Sequence, residues 1–218
     1  MKEDLTELVF ILDKSGSMSG LEKDTIGGFN SMIEKQKNEA GEALVSVVLF
    51  DEKTRLLCDR VSLSQMKPLT EEEYQTGGST ALLDALGRQL KRTRRIQKES
   101  EEENRPAHTL FVITTDGEEN SSRRYTFDKV KKTVTRRQKE DGWQFIFLGA
   151  DIDAIGEASK IGIAADMAAC YMHDAEGTDV CYGAVCEAAT TVRKGAMLSP
   201  SVLGEVRADY KKRSSHKS

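Results

Sequence analysis

The stretch DKSGS, residues 13 to 17, sets one carboxylate and two hydroxyls at alternate positions. An extended loop points alternate side chains the same way, so Asp13, Ser15 and Ser17 can face a single point, and Gly16 permits a sharp bend between the serines. Two further oxygen-bearing residues occupy comparable settings: Thr80 within GGSTALLDA, residues 77 to 85, and Asp116 within TTDGE, residues 114 to 118. Two carboxylates and three hydroxyls, with no imidazole or thiolate among them, make a hard donor set suited to Mg²⁺ or Mn²⁺ rather than to zinc or copper. Ser and Asp after a strand also cap helices, and Thr80 can act as an N-cap for the helix behind it, so each part taken alone reads either way.

Whether those residues meet depends on the elements that carry them. Residues 5–12 and 43–50 read as buried strands, and Ile26, Phe29 and Ile33 mark one face of a helix between them. Gly27 and Gly28 weaken that helix, for which a close approach to the sheet is a physical reason. A tight polar turn at DEKT leads into an antiparallel edge strand at 55–63, and 64–79 is irregular chain with at most one helical turn near 70–74. A long helix starts at Thr80 with Leu83, Leu86 and Leu90 on one stripe and cations at its far end. Beyond the acidic connection at 99–106, a third buried strand at 108–115 runs into Asp116. Then follow a helix marked by Phe127, Val130 and Val134, a strand at 143–148, a short helix at 155–161, a weak strand at 165–172 and a closing helix through Val185, Ala188 and Val192. This alternation predicts a doubly wound α/β domain over residues 1–210: a mostly parallel sheet with one antiparallel edge strand and helices on both faces, then a frayed basic tail at 211–218. In such sheets ligands gather at the carboxyl ends of the strands, where Asp13, Ser15, Ser17 and Asp116 fall.

Bulk composition narrows the partners. The chain has 218 residues, 31% of them charged, and a net charge of -4, which provides no general attraction to nucleic acid or anionic membrane. The first apolar run, residues 8–12, is too short for a signal-peptide core or a membrane span, so a cytoplasmic protein is expected. Cys58, Cys170, Cys181 and Cys186 lack metal-type spacing and read as reduced thiols. The cations Lys91, Arg92, Arg94 and Arg95 read as a solvated helix end, because an acidic loop follows and no aromatics are interleaved. Oligomeric state is not specified by any of these features.

Enzyme readings lack their essential groups. A strand ending in an aspartate nucleophile of the haloacid dehalogenase type needs an acid two residues on, where this chain has Ser15. In GSMSG, residues 16 to 20, Met18 occupies the place of an elbow nucleophile, and no histidine sits in a motif pairing it with Ser15 or Ser17. Neither G-x-x-x-x-G-K-[ST] nor G-x-G-x-x-G occurs. Asp151 and Asp153 read as helix N-terminal carboxylates, and Asp84 either orients the metal loops or lies on the surface.

In order along the chain, DKSGS, then Thr80 in GGSTALLDA, then TTDGE with Asp116 resemble the metal-ion-dependent adhesion site of the von Willebrand factor A domain. The likeness runs from residue 5 to about residue 195. It is strongest to stand-alone bacterial members, which FLGADIDAIGEASKIGI, residues 147–163, also resembles. The resemblance implies direct ligation of Mg²⁺ or Mn²⁺ by Ser15, Ser17 and Thr80, with Asp13 and Asp116 acting mainly through bound water and as hydrogen-bond acceptors. Neutral direct ligands leave the cation's charge largely uncompensated, so the implied partner is a protein presenting an Asp or Glu carboxylate, in a non-enzymatic adaptor role. A metal-assisted hydrolase using the same ion to activate water is the alternative.

Overall fold

The computed structural model describes residues 1–215. In chain order its elements are β1 (Lys2–Asp13), α1 (Glu22–Lys37), β2 (Glu42–Phe50), β3 (Thr54–Ser62), α2 (Leu82–Glu99), β4 (Pro106–Thr115), α3 (Phe127–Asp141), β5 (Gln144–Ala150), α4 (Ala154–Lys160), β6 (Ala168–Tyr171), α5 (Ala175–Arg193) and α6 (Gly204–Ser214). The strands form one sheet in the order β3-β2-β1-β4-β5-β6. Only β3 among them runs antiparallel to its neighbour, at one edge of the sheet.

β1 shows why the chain winds this way. Its residues are buried from Leu5 to Asp13, and successive side chains of a strand point to opposite faces. Leu8, Phe10 and Leu12 join a core with Phe29 of α1 and Val185 of α5, whereas Val9 and Ile11 join a second core with Leu86 of α2 and Val134 of α3. A strand apolar on both faces must be covered by helices on both sides, and parallel neighbours reached through crossovers supply them. From β1 the chain builds outward through β2 and β3, returns, and builds the other way through β4, β5 and β6. The order therefore reverses between β1 and β4, which places the crevice at the ends of those two strands.

Several boundaries differ from the sequence-based expectation. α2 begins at Leu82, leaving Thr80 outside the helix. The weak last strand shortens to Ala168–Tyr171, preceded by a tight 3₁₀ turn at Ala165–Met167. The glycine pair in α1 serves another helix rather than the sheet: a Cβ on Gly28 would lie 2.5 Å from the Tyr182 ring of α5, and Gly27 faces open space. α6 carries no periodic apolar stripe and is unexpected; it runs through Ser214, so the basic end predicted to fray from 211 is helical for its first four residues. Arg213 holds that end, donating to Asp174 at the start of α5 and to Asp209 one turn back. Residues 216–218 of the predicted tail lie outside the described residues.

Candidate metal centre

Three loops leave the crevice end of the sheet and are tied to one another by backbone bonds. Gly16 N–H donates to the Gly78 carbonyl (3.0 Å) and Gly77 N–H to the Lys14 carbonyl (2.9 Å), zipping the first loop to the second. Asn120 N–H and Ser121 N–H donate to the Thr80 carbonyl at 3.0 and 3.2 Å, and Thr80 N–H donates to Asn120 Oδ1 at 3.0 Å, which fastens the second loop to the third. Asp84 completes the clamp by accepting the backbone amides of Arg123, Arg124 and Tyr125. Of its two sequence-based roles, Asp84 therefore performs the orienting one. Burial alone would raise its pKa, but the three amides outweigh that and hold it below the ordinary carboxylate value.

These ties bring all five sequence-predicted residues together. Ser15 Oγ and Ser17 Oγ are 3.1 Å apart, and Ser17 Oγ donates to Asp116 Oδ1 at 2.5 Å. Thr80 Oγ1 and Ser17 Oγ both overhang Gly117, where an added Cβ would stand 2.5 Å from the first and 3.4 Å from the second. The Asp13 carboxylate is occupied: Oδ1 accepts Ser15 N–H at 2.6 Å and Oδ2 accepts the Thr115 hydroxyl at 2.5 Å. Asp13 thus shapes the loop. Ser15 and Thr80 are buried while Ser17 is exposed, so the cluster has a floor of oxygens and one side open to water.

The capping alternative for the hydroxyls is not realised. Ala81, not Thr80, occupies the N-cap position of α2, and Ser15 makes no side-chain capping bond to the 3₁₀ turn behind it. The first amides of α2 are satisfied from the third loop instead, Leu83 N–H by Glu119 Oε2 at 2.8 Å and Asp84 N–H by Ser122 Oγ at 2.9 Å. Thr80 is thereby released from helix capping. Lys14, the one cation within DKSGS, is drawn aside by an ion pair with Asp51.

Burial pushes the Asp13 carboxyl up to about 6; hydrogen bonds from Thr115 and Ser15 oppose this and repulsion from Asp116 adds to it. Asp116 is raised as well, first by burial, with the Ser17 hydroxyl and His173 pulling down and Asp151 pushing up. Its Oδ2 is buried without a hydrogen-bond partner among the described residues, and His173 Nδ1 lies 3.5 Å away. Two desolvated carboxyls, one with an oxygen that accepts no hydrogen bond among the described residues, grouped with three hydroxyls, form an environment that a hard divalent cation would relieve, so the donor set fits Mg²⁺ or Mn²⁺. No cage of three His, Cys, Asp or Glu side chains exists among the described residues.

Sequence reasoning missed several supporting residues. The Tyr74 hydroxyl, buried under the second loop, donates to the Asp13 carbonyl. Thr115, Glu119 and Asn120 act through partners on other loops, and the only hint in the sequence is their closeness to Asp116. His173 follows β6 and reaches the centre solely through sheet order. Asp153 does cap α4, accepting Gly156 N–H at 2.9 Å, whereas Asp151 does not. It turns at the end of β5 with φ +50° and contributes negative charge beside Asp116.

A family model described as von Willebrand factor type A domain matches residues 7–179. The chain belongs to the von Willebrand factor type A domain family. Among solved structures it is similar to a von Willebrand factor type A protein from Catenulispora acidiphila, with 17% identity and a TM-score of 0.58 over 89% of this chain and 43% of that one. It is also similar to proximal thread matrix protein 1 from the mussel byssus with a zinc-occupied MIDAS motif, with 13% identity and a TM-score of 0.60 over 87% of this chain and 47% of that one. The chain spans less than half the length of these structures, and at such identities the likeness establishes the fold. No curated protein matches the chain.

Proposed function

We propose that this domain holds Mg²⁺ or Mn²⁺ among Ser15, Ser17, Thr80, Asp13 and Asp116 and through it captures an Asp or Glu carboxylate of a protein partner, as a non-enzymatic adaptor in the cytoplasm. The observation that carries the reading is the meeting of Ser17 Oγ and Thr80 Oγ1 above Gly117, beside an Asp116 carboxylate whose Oδ2 is buried without a hydrogen-bond partner among the described residues. When bound, a divalent cation supplies a Lewis-acidic position open to an oxygen from outside. The chain's own residues set how strong that position is. Three neutral hydroxyls neutralise none of the charge, and Asp13, already bonded to Ser15 and Thr115, fixes the loop. The mussel relative carries zinc at the corresponding motif, so zinc belongs in the same titration.

Isothermal titration of Mg²⁺, Mn²⁺ and Zn²⁺ into the wild type and an Asp13→Ala variant tests the site. Saturable heat with Mg²⁺ or Mn²⁺ in the wild type and its loss in the variant is expected; dilution heat alone in the wild type overturns the reading. The partner claim is tested by protein capture with and without chelator. His173 beside Asp116 gives the hydrolase reading its footing, since an imidazole there could move protons. That reading requires Mn²⁺-dependent turnover of a phosphoester or ester, abolished in Asp116→Ala; no turnover is expected.

A further inference from the structure

Between α2 and the edge strand β3 lies a cavity of 630 Å³ whose charge is opposite to that of the whole protein. Its walls carry Arg88, Lys91, Arg92, Arg95 and Arg124, and no Asp or Glu lines it. The floor is apolar, formed by Val48, Leu56, Ala85 and the Tyr125 ring, and Leu56 is 36% exposed. An arginine-rich helix end that merely meets water would not need an apolar floor between its charges. Arg92 is paired with Asp59, and Arg88 feels Asp84. The side chains of Lys91, Arg95 and Arg124 make no hydrogen bond or ion pair among the described residues.

This cavity continues toward the metal centre. A second one of 600 Å³ shares Thr54, Arg88 and Arg124 with it, adds Arg123 and Lys53, and reaches Ser79, the neighbour of Thr80. Its two carboxylates face backbone amides, Glu52 that of Ser79 (3.4 Å) and Asp84 those of the third loop. The result is a basic channel running from the metal loops down the α2–β3 groove on a chain of net charge -4.

We propose that this channel takes an acidic, extended polypeptide segment bearing spaced apolar side chains, contributed by the same partner whose carboxylate reaches the metal centre. Carboxylates along the segment match Lys91, Arg95 and Arg124, and a leucine-sized side chain covers Leu56 and Tyr125. The local positive charge of the channel, on a chain whose net charge is negative, steers an acidic segment and sets its register. Only the shared-partner clause rests on the metal reading above.

The probe is a fluorescein-labelled peptide of Asp and Glu with a leucine at every fourth position, about twelve residues long, enough to span about 40 Å when extended. Binding is followed by fluorescence anisotropy in chelator. The triple variant Lys91→Ser, Arg95→Ser, Arg124→Ser is expected to bind about tenfold more weakly at low salt, with a shallower salt dependence. Its melting temperature and Mg²⁺ titration should match the wild type, showing that fold and metal site are intact. Binding by the triple variant within about twofold of the wild type overturns the proposal. So does displacement of the peptide by an oligothymidylate of equal charge at a lower concentration, which would assign the channel to nucleic acid. If the wild type gives no metal heat but binds the peptide in chelator, the metal reading fails and the channel stands.

Discussion

At the scale of single residues, the centre is set by small groups that leave room as much as by the groups that donate. Gly117 follows directly on Asp116, the residue after β4, and its missing side chain is what lets Thr80 Oγ1 and Ser17 Oγ converge. Gly117→Ala is expected to drive those hydroxyls apart, lowering Mn²⁺ affinity at least about tenfold in a calorimetric titration while costing about 1–3 kcal/mol of stability in urea unfolding. Asp13, Ser15, Ser17 and Asp116 were legible as candidates because a strand end announces itself through its apolar run and the donors follow it, whereas Thr80 follows no strand and was read from its place ahead of a helix within GGSTALLDA. Tyr74, Glu119 and His173 were not, since each acts on a loop that becomes its neighbour only once the sheet order exists.

At the scale of elements, each loop is stabilised by the next, and α2 shows this most directly. Glu119 accepts the amides of Leu83 (2.8 Å), Ser121 (3.0 Å) and Ser122 (2.7 Å), so a residue beyond β4 caps a helix that precedes it. Glu119→Ala is expected to cost about 1–2 kcal/mol, the range of a lost helix cap, and to weaken metal binding as well, measured by thermal melts with and without Mn²⁺. At the other end of α2, Gln97 and Arg60 of β3 both donate to Glu7, whose side chain is fully buried in β1. Burial raises the Glu7 pKa above 4.5 despite Arg60 and Gln97, which act to lower it. The folded state therefore holds that proton more tightly than the unfolded chain, and the resulting stability is complete below about pH 4.5 and lost as pH rises through the raised folded value. Paired unfolding curves should shift in favour of Glu7→Gln, relative to wild type, as pH increases from about 4.5 toward 8; a pH-independent difference would contradict the raised value.

For the whole molecule, the decisive property is the reversal of strand order between β1 and β4, which turns two residues a hundred positions apart into neighbours. Helix–strand alternation forecast the doubly wound sheet and the antiparallel edge because periodicity and short apolar runs are local signals. α6 escaped notice because its sequence has no apolar stripe; only Val206 of the helix itself is buried, and Arg207 binds the carbonyls of Pro200, Asp166 and Ala168. A cation held only by the folded form stabilises it by mass action. Mn²⁺ at about a hundred times its dissociation constant should add about 2.7 kcal/mol to the wild type, seen as a raised Tm, and nothing to Asp13→Ala.

Because Thr80 surrendered its capping duty to Glu119 and Ser122, the segments 77–85 and 116–125 form one mechanical part made of two lengths of chain. A grafting experiment that moves DKSGS and Thr80 to another scaffold but leaves 116–125 behind would carry over the donor letters and lose their arrangement. The transferable unit is the pair of segments, and a partial graft should arrive unable to hold an ion.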